Sequence, residues 1–133
     1  MKPSTFIDLY EPCEASILFI SKLENMAEAW SKCPFAPWLF WTLRKLDLIT
    51  LDLAVDLTIE ISKYALDTRD PKYIPIDREA LKTHYLQSGV SYRTIYGMYA
   101  AIMWWTISQY PLTALTEFDM CTAIRRIIPN PFL

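Results

Sequence analysis

Ser91-Tyr-Arg-Thr-Ile-Tyr-Gly-Met-Tyr-Ala-Ala-Ile-Met-Trp-Trp-Thr-Ile-Ser-Gln-Tyr110 is the stretch whose reading decides the fold. From Tyr96 to Ile107 it carries no charged side chain, so a helix here has no ordinary solvent side and is expected to be covered nearly all round. Thr94, Gly97, Ala101 and Ser108 fall on one line at helical spacing, where a neighbouring backbone can come close. Tyr92, Tyr96, Tyr99, Met103 and Tyr110 form a bulky line on another face. The pattern specifies packing and names no chemistry.

Outward from this stretch, the chain punctuates itself as further helices. Toward the N-terminus, Asp77 is placed to cap a helix over 78–88 that Gly89 ends in a left-handed turn. Before it lies a polar, twice proline-interrupted connection, Asp67 to Pro75, expected as the longest loop. The segment 48–65 is apolar over most of its circumference, with Thr50 or Asp47 as its start signal. Its polar stripe is Asp52, Asp56 and Glu60, at i, i+4 and i+8, and like charges at that spacing repel by a few tenths of a kcal/mol per pair. Such a local conflict makes the stripe a candidate for contact with a basic partner.

Pro37 opens a helix over 37–46 whose Trp38 and Trp41, with Trp30 upstream, supply a large aromatic area. Asn25 caps a short helix over 26–32 that Pro34 ends. Pro12 suits the first turn of a helix over 13–23. Residues 1–11 are expected as an extended leader pinned by Phe6, Ile7, Leu9 and Tyr10. Beyond Pro111, Thr116 starts a final helix with Asp119 in the position that closes a capping box. Arg125 and Arg126 lie near its C-terminal end, where cations suit the helix dipole, and 129–133 is expected as an extended tail ending near Phe132.

No segment alternates every second residue, and there is no Asn-Gly or Asp-Gly hairpin turn. The expected architecture is therefore all-α: one domain over 1–133, a compact array of six to seven helices around the buried aromatic-rich helix. The 133 residues suit one domain. With only two glycines against nine prolines, the bends must come mostly from proline.

Thirteen basic against 15 acidic residues leave a formal charge of −2, which argues against a nucleic-acid partner. The N-terminus lacks a signal-peptide pattern and no stretch suits a membrane span, so a cytoplasmic location and no membrane partner are expected. Cys13, Cys33 and Cys121 are odd in number and widely spaced, and one histidine, His84, accompanies them. They read as small hydrophobes of a reduced protein rather than as a metal site. No phosphate loop, metalloprotease or calcium motif is present, so no catalytic residue, cofactor or metal is assigned. His84 has no base-orienting neighbour at a recognisable spacing.

Cys13 and Ala15, Ala29-Trp30, Pro37-Trp-Leu-Phe-Trp41, Asp67-Thr-Arg69 and the ending Cys121-Thr-Ala-Ile-Arg-Arg-Ile-Ile-Pro-Asn-Pro-Phe132 together resemble a loose family of small helical proteins of bacteria and their phages. Some members are labelled immunity proteins. That resemblance implies a helical domain of bacterial or phage origin that works by binding. The expected function is a non-catalytic interaction protein that blocks another protein, of immunity or anti-defence inhibitor type. Its candidate contacts are Asp52, Asp56, Glu60, Arg125, Arg126 and Phe132. Two other classes stay open: a self-assembling structural protein forming a homo-oligomer, and a small enzyme or ligand carrier with a pocket near the tryptophans and His84.

Overall fold

The computed structural model describes residues 1–106 and 115–133, and among them every regular element is a helix. In chain order these are α1 Pro3–Tyr10, α2 Glu14–Ile20, α3 Met26–Lys32, α4 Ala36–Lys45, α5 Leu51–Ala65, α6 Arg78–Ser88, α7 Ile95–Thr106 and α8 Glu117–Ile127. The segment carrying the expected end of α7 at Tyr110 and the Pro111 stop lies outside the described residues.

Among the described residues eight helices stand where six to seven were expected, and the additional one is the supposed leader. Pro3 sits in the first turn, where its missing N–H costs nothing. Phe6 and Tyr10 then fall one turn apart, and Phe6 is fully buried. Glu11 ends the helix in the left-handed region, at φ 49°, with its N–H donating to the Ile7 carbonyl. Phe6 becomes an aromatic hub: the rings of Tyr10, Trp38, Trp41 and Phe132 all lie within 5.0–6.3 Å of it.

The tail is also not extended. Asn130 donates through Nδ2 to the Ala27 carbonyl at 2.9 Å, and its Oδ1 accepts from the Phe132 N–H at 3.0 Å, a side-chain turn that returns Phe132 to the Phe6 edge.

The helix at the centre is α5, not α7. It packs against α6, α7 and α8, and Ala54, Val55, Leu57, Thr58, Glu60, Ile61, Ser62 and Ala65 are buried along it. It begins three residues later than its apolar pattern suggested. Asp47, at φ 54°, breaks the chain after α4, the Leu48 N–H closes back on the Leu43 carbonyl, and Thr50 caps the new start by accepting from the Leu53 N–H.

Helix α7 buries only one side, through Gly97, Met98, Ala101, Ile102 and Thr106. Tyr96 is 86% exposed and Met103 56%. Uncharged does not mean covered here, because tyrosine and tryptophan carry a polar group that tolerates water. The small-residue line also has a different use from the one expected. A Cβ on Gly97 would lie 1.6 Å from the Ser91 carbonyl oxygen, so Gly97 admits α7's own preceding turn rather than a neighbouring helix. That turn delays the helix start from Ser91 to Ile95, where Thr94 accepts from the Gly97 N–H at 3.0 Å.

Candidate functional site

The six residues proposed for partner contact divide between helix-to-helix ties and core packing. Asp52 and Asp56 face α6, which answers them with two cations. Lys82 Nζ lies 3.1 Å from Asp52 and Arg78 Nη2 lies 3.1 Å from Asp56. Both carboxylates stay substantially exposed, so each pair contributes at most about 1 kcal/mol.

Glu60, the third of the stripe, is different. Its side chain is only 7% exposed and is held at 3.2 Å by both Arg126 Nη1 and Lys63 Nζ. Glu60 and Arg126 are thus partners of each other, tying α5 to α8, and Glu60 is withdrawn from any outside molecule.

Arg125 is a structural clamp. Its Nε and Nη2 donate to the Trp30 carbonyl at 3.0 and 2.8 Å, and Nη2 also donates to the Cys33 carbonyl. These carbonyls end α3, where the helix leaves acceptors without intrahelical donors, so the guanidinium caps it from another element. From the other end of α8, Glu117 Oε2 accepts from the Ala36 N–H at 3.0 Å and so caps the start of α4. Phe132 is half-buried against Phe6. Arg125 and Phe132 are thus both engaged within the fold.

His84 is stacked flat on Trp104, with centroids 4.0 Å apart and planes at 12°. Burial lowers its pKa below the ordinary histidine range. Among the described residues its Nε2 has no hydrogen-bond partner, and no hydrogen bond joins it to a thiol. The pairing of His84 with a tryptophan is thus with Trp104 on α7, away from Trp38 and Trp41 on α4.

The three cysteines form no disulfide. Cys33 and Cys121 are buried, and burial pushes the Cys33 thiol up to about 11 and raises that of Cys121. Cys13 departs from the expectation of a core position. It is exposed, and its Sγ lies 3.2 Å from the Ser16 hydroxyl, whose hydrogen bond lowers the thiol pKa. Among the described residues no group of three or more His, Cys, Asp or Glu side chains is arranged to hold a metal ion, and no helix is long and apolar enough to cross a membrane.

One uncharged exposed face among the described residues is the outer side of α7. Tyr96, Ala100, Met103 and Trp104 are exposed on the side turned away from α5. Their spacing of four, seven and eight residues puts them on one stripe. Trp105, beside them, is pinned by its indole N–H to the Ile74 carbonyl at 2.9 Å, and Trp104 is held by the His84 stack. The line of Tyr96 and Met103 was legible in the sequence, but its direction was not. No family model, curated protein or solved structure matches the chain.

Proposed function

We propose that the chain is a non-catalytic interaction protein that occupies the surface of another protein with the outer face of α7, in the manner of an immunity protein or an anti-defence inhibitor. The observation that carries this reading is the uncharged, exposed stripe of Tyr96, Ala100, Met103 and Trp104. A contiguous apolar surface held on a rigid element costs free energy in water and is characteristic of recognition surfaces, where Tyr, Trp and Met are enriched. The partner that fits is an apolar groove or helix face with little charge. The acidic stripe is satisfied within the fold by Arg78, Lys82, Arg126 and Lys63 and contributes little to capture.

The same face supports a second reading. A stripe without charges lets two copies meet about a two-fold axis with no like-charge repulsion, giving a homodimer. Light scattering over a dilution series separates the two readings.

The test of capture compares three tagged proteins in a lysate of the native host. A partner retained by the natural sequence and by Asp52→Lys/Asp56→Lys, but lost from Tyr96→Glu/Met103→Glu at unchanged helicity, supports the α7 face. Equal retention by all three, or recovery of the tagged chain alone as a monomer, removes the reading.

A further inference from the structure

We propose that the pocket between α2 and α4 binds a small monocarboxylate with an apolar body, its carboxylate on Arg44 and its body among Phe19, Trp38 and Trp41. The pocket has a volume of about 530 Å³, within the range of small-molecule sites. Its walls are mostly aromatic and apolar, and its thiol, hydroxyl and charged groups are those of Cys13, Cys33, Ser16, Arg44 and Glu117.

The charge of the ligand follows from how those polar groups are already engaged. Glu117 spends one carboxylate oxygen on the Ala36 N–H at the positive end of α4 and keeps its negative charge, so an anion must seat on the Arg44 side of the pocket. Arg44 makes no ion pair among the described residues. An unanswered guanidinium at the edge of an apolar cavity selects an anion, and its planar fork suits a carboxylate.

Trp38 is set deep in the wall, 6% exposed, with its indole N–H shielded from solvent and without an acceptor among the described residues. The aromatic walls are themselves fixed, since Trp38 is braced edge-on by Phe19 at 6.5 Å and at a tilt by Phe6 at 6.3 Å, and Lys45 covers part of the Trp41 ring.

Cys13 on the rim supplies the reporter. Titration calorimetry of the full chain with octanoate and with 3-phenylpropionate, against 1-octanol, 3-phenyl-1-propanol and 3-phenylpropylamine, reads the charge preference. Alkylation of Cys13 by iodoacetamide, followed by mass spectrometry, reads the location. The expected result is that at least one carboxylate binds about tenfold more tightly than its alcohol, that Arg44→Gln erases the difference, and that the bound acid slows Cys13 alkylation. Which acid binds better assigns an aryl or an alkyl ligand. Equal affinity of acid and alcohol, preference for the amine, no heat at millimolar concentration, or an unchanged Cys13 rate would each overturn the proposal. Arg44 is exposed, so its replacement leaves the fold intact, and thermal melting of the variant confirms this.

Discussion

At the scale of single residues, the side chains that resembled contact points are the ones that close open ends of the fold. Arg125 donates to two carbonyls at the end of α3, so removing it strands acceptors in a part-buried place. Arg125→Met is expected to lower stability by about 2–3 kcal/mol, read by urea denaturation. Arg125→Lys should recover little of it, because an ammonium on a flexible stem does not reproduce the fork. A full rescue by lysine would show that charge alone matters here. The thiols give a second residue-level expectation. Cys13 is exposed with its pKa lowered by Ser16, whereas burial raises those of Cys33 and Cys121. Near pH 8, iodoacetamide should modify Cys13 alone in the folded chain, and Ser16→Ala should shift its rate profile to higher pH. Labelling of Cys33 at a comparable rate would contradict the burial.

At the scale of elements, helix starts were legible because capping is local. Asn25, Thr50, Asp77 and Thr116 each accept from the backbone N–H three residues on, and a few adjacent letters determine that bond. The capping box of Thr116 and Asp119 forms as its spacing implies. What depends on distant sequence was not legible. Nothing in 52–60 tells that Arg78 and Lys82 would lie opposite, and nothing in 96–107 tells which side α5 would cover. Helix α1 was missed because Phe6, Ile7, Leu9 and Tyr10 look equally like anchors of an extended leader. The Gly97 approach yields a prediction for α7. Gly97→Ala would press a methyl group into the Ser91 carbonyl, and the misfit should cost about 1–3 kcal/mol despite alanine's better helix propensity. A stabilised variant in thermal melting would mean that the 91–94 turn yields freely.

At the scale of the whole molecule, the buried ionisable groups set how the fold answers alkali. The Tyr85 hydroxyl, within 2.8 Å of Thr58 between α6 and α5, is pushed up to about 12, chiefly by burial. Cys33 is pushed up to about 11 for the same reason. Both groups keep their protons in the folded chain at pH values where the unfolded chain releases them. Their contribution is therefore complete below pH 9 and falls as pH rises through about 9–12. Melting temperature should decline across that interval, and Tyr85→Phe should flatten the portion above pH 10. A decline unchanged in that variant would place the alkaline sensitivity elsewhere.

One helix finishing two others has a consequence in time. The corner between α3 and α4 takes its donor from Arg125 and its acceptor from Glu117, partners 81–95 residues away along the chain. Until α8 arrives, that corner has frayed ends, and so large a loop closes slowly compared with the formation of a single helix. Refolding should therefore show early helicity with late burial of Trp30, so that substitutions at Arg125 and Glu117 accelerate unfolding while leaving the folding rate nearly unchanged.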